Sequence, residues 1–309
     1  MPELNDIQQR ILAEIADLKA IPAEGAVNIR ADGTKLHRQN TEHIVIESKT
    51  DKDGIDIHIA PFTKNESVHI PVILTESGLK DTVYNDFFIG EGADVTIVAG
   101  CGIHNCGCDL TQHDGIHTFY VGKNAHVKYV EKHYGEGEGE GKRVLNPQTV
   151  LYLDEGASVE LETTQIRGVD DTKRYTRAEL KADADIVVRE NLLTHGSQNA
   201  DSEMDVFLNG ENARAQIVSR SVAQDESYQV FYPRLTGNAE CFGHVQCDAI
   251  IMGSAKVRAI PEITCNHVDA SLIHEAAIGK IAGEQILKLQ TLGLSAEEAE
   301  QRILEGFLR

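Results

Sequence analysis

The order of apolar and polar positions divides the chain into three stretches. From Asn5 to Ala20, Ile7, Ile11, Leu12, Ile15 and Leu18 recur at helical spacing, with Asn5 placed as an N-cap and Gln8 three residues on in the capping-box position. This predicts one amphipathic helix. From about Val27 to Ile273 the period shortens to two, in β-branched runs such as His43-Ile-Val-Ile-Glu, Asp56-Ile-His-Ile-Ala and Val68-His-Ile-Pro-Val-Ile-Leu, separated by Gly, Asn and Asp. The helical period returns at Gly283 to Leu292, stopped by Gly293, and again after Ser295, where Glu298 completes a capping box ahead of Ala299, Ile303 and Leu304.

Within the long β region one phrase recurs: a turn residue, Ala, one variable residue, then an apolar run. It appears as Glu91-Gly-Ala-Asp-Val, Lys123-Asn-Ala-His-Val, Glu155-Gly-Ala-Ser-Val, Ala182-Asp-Ala-Asp-Ile and Glu211-Asn-Ala-Arg-Ala, with weaker echoes at Gly237-Asn-Ala-Glu and Gly253-Ser-Ala-Lys-Val. The alanines at 93, 125, 157, 184, 213, 239 and 255 lie 32, 32, 27, 29, 26 and 16 residues apart. A sustained all-β repeat of this length predicts a solenoid whose coils bury their inward residues against one another, with the small Ala where the chain corners. A right-handed parallel β-helix is preferred to a large sandwich with recurring turns. The expected organisation is an N-terminal helical segment over 1–26, a β-helix core over 27–275 and a C-terminal helical segment over 276–309. The tract from Gly135 to Gly141, alternating Gly and Glu, reads as a flexible solvated loop.

Composition narrows the function classes. The 309 residues carry 29 Lys and Arg against 49 Asp and Glu, a formal net charge of −20, which disfavours nucleic acid and anionic lipid as partners. No stretch approaches a membrane-spanning length, and the start has no basic region followed by an apolar core. The six cysteines are too sparse for a disulfide scaffold and fall into two groups, Cys101, Cys106, Cys108 and Cys241, Cys247, Cys265, so a reducing cytoplasm is expected.

Thiolates and imidazoles together suit zinc or iron, and both groups contain them. The first runs Cys101-Gly-Ile-His-Asn-Cys106-Gly-Cys108, followed by His113, Asp114 and His117, but its spacing matches neither a zinc ribbon nor a ferredoxin run. The second comprises His244, Cys247, Cys265 and the pair His274-Glu275. Cys247 and Glu275 are 28 residues apart, about one coil, which would place them on adjacent coils of one face. The bland reading of each is a packed thiol and a polar corner.

The segment from Cys247 to Phe307 resembles the SufB/SufD family of iron–sulfur cluster assembly proteins, closer to SufB. The resemblance is carried by Gln246-Cys247-Asp248 before an apolar run and Gly253, by Pro261 to Ile263, by His274-Glu275-Ala276, and by Gln285, Gly293-Leu294, Glu298-Ala299 and Gly306-Phe307. It implies a β-helix that pairs with a second family member, here a homodimer, and C-terminal helices that dock a SufC-type ABC ATPase. It also implies a sulfur donor and apoprotein acceptors. Cys247 matches the family's scaffold cysteine, Glu275 its carboxylate near the dimer interface and His274 the histidine of the SufD-type partner, so these three are the expected ligands of a transient iron–sulfur cluster. Cys265, Cys101, Cys106 and Cys108 are secondary ligand candidates. The stretch Ile286 to Gly293 departs from the family's aromatic pair and Arg-Gly step in the docking helix, and no Walker-type loop is present, so ATP hydrolysis belongs to the partner. The competing readings are a zinc-stabilised solenoid acting as an interaction module and a β-helix carbohydrate-active enzyme. The second is poorly supplied with stacking residues, since Trp is absent and aromatics are 5%.

Overall fold

A computed structural model describes residues 4–18 and 25–308. In chain order the elements are α1 (Asp6–Ala16), β1 (Ala26–Ala31), β2 (Thr34–Gln39), β3 (Ile44–Ser48), β4 (Gly54–Ile59), β5 (Lys64–Leu74), β6 (Lys80–Ile89), β7 (Asp94–His104) and β8 (Thr111–Val121). They continue with β9 (His126–Glu136), β10 (Arg143–Leu145), β11 (Gln148–Leu153), β12 (Ser158–Arg167), β13 (Asp171–Leu180), β14 (Asp185–Thr194), β15 (Asn199–Leu208) and β16 (Ala213–Ala223). The last are β17 (Tyr228–Gly237), β18 (Cys241–Ile251), β19 (Lys256–Ala259), β20 (Glu262–Cys265), β21 (Ser271–Gly279), α2 (Gly283–Gln290) and α3 (Ala296–Phe307).

The strands form two sheets that the chain visits alternately. One has the order β2-β1-β5-β7-β9-β12-β14-β16-β18-β21 and the other β19-β17-β15-β13-β10-β8-β6-β4-β3, with β11 beside β8 and β13 and β20 beside β17. Among the described residues the hairpins β1–β2 and β3–β4 at the N-terminal end are antiparallel and every other strand pairing is parallel. This is a parallel β-solenoid flanked by one N-terminal and two C-terminal helices, as the period-two pattern and its helical ends predict.

The recurring phrase builds the corners. The residue before Ala93, Ala125, Ala157, Ala184 and Ala213 is Gly92, Asn124, Gly156, Asp183 or Asn212, each in the left-handed region with φ between 53° and 68°. Gly, Asn and Asp tolerate that conformation where other residues do not. The alanines that follow are 0–1% exposed, so a larger side chain has no room at the bend.

α1 begins with the capping box of Asn5 and Gln8 and ends at Ala16, with Asp17 left-handed, earlier than the spacing predicts. Residues 19 and 20 of the expected helix lie outside the described residues. Ile11 and Ile15 seat against the outer face of β7 over Gly100 and Gly102, where an added Cβ would come within 2.3 Å of the Ile15 carbonyl oxygen and 2.2 Å of Ile11 Cγ2. The tract from Gly135 to Gly141 is not the free loop its composition suggests. Gly139 and Gly141 donate backbone N–H to the Asn105 and Gly107 carbonyls at 3.1 and 2.9 Å. A Cβ on Gly137, Gly139 or Gly141 would meet backbone at 2.1–2.3 Å, so glycine serves close docking onto the preceding coil. At the other end β21 pairs in register with β18 as far as Gly279, carrying the solenoid past the expected boundary at residue 275. Beyond it, Ala299 is the one buried residue described in α2 and α3, and Leu287 of α2 and Leu292 of the turn after it are exposed.

Candidate functional site

Alternation along each strand sends every second side chain into the solenoid, and part of that interior is apolar: Phe87 and Phe119 stack at 4.2 Å beside Tyr129, with Ile, Leu and Val filling the coils. Polar and charged groups occupy the remainder, in columns fixed by the parallel register. One column on the first sheet runs Glu131, Thr163, Glu190, Ser219, Cys247, each residue paired with the next on a neighbouring strand. Beside it Cys101 on β7 pairs with His133 on β9.

Cys101 therefore faces inward between His113 and His133. The buried Nε2 atoms of these two rings make no hydrogen bond; that of His133 lies 3.6 Å from the Glu131 carboxylate, and both rings act on the Cys101 thiol. Burial alone would raise the Cys101 thiol, but the imidazolium of His113 and then His133 outweigh it and bring the group down to about 7. His113 rises to about 10 despite its own burial, held cationic by the Cys101 thiolate and by Asp81, whose carboxylate accepts from His113 Nδ1 at 3.1 Å. Asp81 also accepts from Arg30 at 2.7 Å and sits at about 2. Further along, the Arg174 guanidinium, 7% exposed, is ion-paired with Glu131 and lies 3.7 Å from Glu190. Glu190 accepts from Ser202 and Ser219 at 2.6 and 3.0 Å. A buried guanidinium is tolerated here because two carboxylates counter it and Glu190 is further held by serine hydroxyls.

Cys247 is reached at the end of this column. Its inward sulfur lies 3.4 Å from His274 Nε2 on β21, the next coil. Burial, Glu190 and Asp248 push the Cys247 thiol up to about 12, and burial lowers His274. Glu275 is one residue on and so points the other way. The register pairs it with Gln246, and its carboxylate meets His244 Nε2 at 3.0 Å on the outer face of the sheet. The expected juxtaposition of Cys247 and Glu275 on one face is thus replaced by two pairs back to back: Cys247 with His274 inside, His244 with Glu275 outside. Period-two alternation is the reason.

The other candidates scatter. Cys106 and Cys108 are exposed in the turn after β7, and Cys106 Sγ contacts His104 Nε2 at 3.0 Å. His104 in turn bonds Glu136, while Cys101 of the same motif is sealed inside. Cys265 stacks on Gly237 in the second sheet and borders Cys241. Among the described residues no three His, Cys, Asp or Glu stand ready as a metal cage. The charged interior of Asp81, Glu131, Arg174 and Glu190 was not anticipated from the sequence. Its signal was available as polar residues at alternate positions of otherwise apolar runs, as in Val127, Tyr129, Glu131, His133.

The family model described as "SUF system FeS cluster assembly, SufBD core domain" matches residues 82–307. The chain belongs to the SufB/SufD family. Among its relatives is an "iron-sulfur cluster assembly SufBD family protein" of Archaeoglobus fulgidus, 30% identical over 278 residues, covering 88% of this chain and 73% of the relative. A Methanocaldococcus jannaschii member of that description is 27% identical over 277 residues, 87% of this chain and 86% of its own. One from Methanothermobacter thermautotrophicus is 28% identical over 245 residues, 77% of this chain but 57% of the relative. Family membership makes this SufBD protein a scaffold or assembly factor in iron–sulfur cluster assembly rather than an enzyme with its own catalysis. Among the described residues no helix is long and apolar enough to cross a membrane.

Proposed function

We propose that two copies of this SufBD protein join through the ends of their sheets and build a labile iron–sulfur cluster, their cargo, at the seam between them, in a reducing cytoplasm. The observation that carries this reading is the pair Cys247 and His274, 3.4 Å apart across the last two coils. β21 is the edge of its sheet, and most of its residues are exposed, so its unpaired backbone invites another strand. Two copies meeting there bring together two thiols, two imidazoles and the outward carboxylates of Glu275, a ligand set one copy lacks.

The thiol chemistry fits a cargo that must leave. With its pKa near 12, Cys247 is protonated at neutral pH, so iron must displace a proton on loading, and reprotonation favours release. One thiolate with imidazole and carboxylate holds iron less firmly than four thiolates. A SufC-type ABC ATPase docks on the α2–α3 segment, where Leu287 of α2 and Leu292 of the connecting turn are open, and its closure shifts one copy against the other as rigid bodies. A sulfur donor feeds the scaffold and apoproteins receive the cluster.

The carbohydrate reading loses support from the exposed aromatic ladder His58, Phe88, Tyr120, Tyr152. Its rings stack on one another at 4.8, 5.2 and 5.5 Å with planes within 16° of parallel, which spends their faces internally and offers only edges to a sugar.

The test is anaerobic reconstitution of wild type beside Cys247→Ser, His274→Ala and Glu275→Ala, with iron and sulfide analysis, a visible spectrum and light-scattering mass. A brown dimer in wild type and diminished chromophore in the variants is expected. Equal cluster yield in all four overturns the ligand assignment, and a strictly monomeric protein even with its ATPase overturns the seam.

A further inference from the structure

At the N-terminal mouth of the solenoid, opposite the Cys247 end, the first coils enclose a cavity of about 130 Å³ that the mechanism above does not use. Its floor is the inward face of β5 and β6, with Val72, Val83 and Asn85. Its walls are cationic: five of the fourteen lining residues are Lys or Arg, in a chain whose net charge is −20.

The charges there are not all neutralised. Arg30 is spoken for by Asp81 and Lys49 by Asp56 and Asp86. Arg38, Lys35 and Lys52 have no carboxylate partner among the described residues, and the lining holds one acid, Asp53. Arg38 is partly buried and its guanidinium is positioned by neutral acceptors, Nε to Asn28 Oδ1 at 2.9 Å and Nη1 to Ser48 Oγ at 3.0 Å. Burial disfavours its charge, with no anion nearby to offset that cost. Lys52 lies over the Tyr84 ring, 4.5 Å from its centroid.

The backbone is bent to make this arrangement. Asn28 pairs with Arg38 and Ile29 with His37, then the register slips so that Arg30 pairs with Lys35, leaving Leu36 as an extra residue in β2. Without that bulge Lys35 and Arg38, three apart, would point to opposite sides of the strand. With it both turn into the cavity, a use of the bulge that re-aims a side chain.

We propose that this mouth is a binding site for a small, multiply charged oxyanion of the size of phosphate or sulfate, held by Arg38, Lys35 and Lys52. The volume holds roughly four waters, too little for a nucleotide or a drug-sized ligand. A guanidinium fixed by neutral acceptors with its remaining N–H groups free is the donor geometry that tetrahedral oxyanions accept. Because Asp81 bonds both Arg30 on the cavity wall and His113 beside Cys101, two hydrogen-bonded residues, Arg30 and Asp81, link the cavity to the thiolate pair.

The test is isothermal titration of the full chain with inorganic phosphate, sulfate and, separately, phosphoserine, the last to distinguish a free anion from a phosphate carried on another molecule. Saturable binding of phosphate or sulfate is expected, weakened about tenfold or more in Arg38→Gln and unchanged in Lys142→Gln, a surface cation elsewhere. Lys35→Gln, at an exposed position that cannot disturb the core, serves if Arg38→Gln fails to fold, and should weaken binding severalfold. Absence of saturable binding of both inorganic anions, binding of phosphoserine alone, or equal affinity in wild type and the Lys35 and Arg38 variants overturns the site.

Discussion

Cys101 and Cys247 lie on the same sheet, both pointing inward and 6% and 4% exposed, yet their thiols are displaced in opposite directions, one to about 7 and the other to about 12. Burial cannot distinguish them. The difference lies in the neighbours: His113 and then His133 draw the Cys101 thiol down, whereas Glu190 and, from the next position along the strand, Asp248 push the Cys247 thiol up. One sheet thus keeps a thiolate ready inside and a neutral thiol at its open end. Buried charge along the interior, not exposure, sets which cysteine is ionised.

The largest break of that comparison is to remove the cation between the two ends. Arg174→Met leaves Glu131 buried without its partner and should cost about 3–5 kcal/mol in urea unfolding. The double variant Arg174→Met with Glu131→Gln should recover much of it. A double variant no more stable than the single would mean that Arg174 matters through packing instead.

Acid should act next, through His117. Burial lowers His117 to about 4, and its ring bonds Tyr129 and Asn85 at 2.7 and 3.2 Å. As pH falls below about 6.5 the unfolded ring takes a proton that the folded ring refuses until about 4, so stability declines across that window, by about 3 kcal/mol in all. His117→Gln should flatten this limb of a stability-against-pH curve. The thiolate pair itself should be silent there. Between pH 7 and 9 folding moves one proton from Cys101 to His113 without net uptake, so this pair adds no pH dependence to stability while its thiolate absorbance appears. Replacing His113 with Asn should move the onset of that ultraviolet absorbance upward, above pH 8, while Cys247 stays protonated throughout.

The sequence was informative where local chemistry decides structure. Gly92, Asn124 and Asp183 announce left-handed corners, Ala93 and its counterparts announce tight bends, and Asn5 with Gln8 and Ser295 with Glu298 announce helix starts, because each acts within a few residues of itself. The pairing of Cys247 with the coil of His274 was also legible, since a repeat of known length predicts which residues stack. What could not be read was parity over that distance: a shift of one residue in the register decides whether His274 or Glu275 faces Cys247, and only the full ladder fixes it. The ion network of Glu131, Arg174 and Glu190 was hidden for a related reason. Its members are 43 and 16 residues apart and look individually like solvated charges until the coils close around them. The role of the glycines flanking Cys101, which seat α1 on the outer face, was likewise not legible, because it depends on a helix about 85 residues earlier in the chain.

The smallest effect on stability should fall at Glu275, and that makes it the sharpest probe of the seam. Its carboxylate is 59% exposed and its bond to His244 is a surface ion pair, worth about 0–1 kcal/mol. Glu275→Ala should therefore leave the unfolding midpoint nearly unchanged. Cys247→Ser, which alters a buried inward group, should lower it measurably. If the outward pair serves the joining of two copies, the same Glu275→Ala protein should dissociate at a higher concentration than wild type in analytical ultracentrifugation and retain less iron after reconstitution. A variant that loses stability in step with Cys247→Ser would place Glu275 inside the fold's own support. One that keeps both stability and dimer affinity would assign the outer face of β21 to solvent and return the search for the seam to the exposed edge of β20.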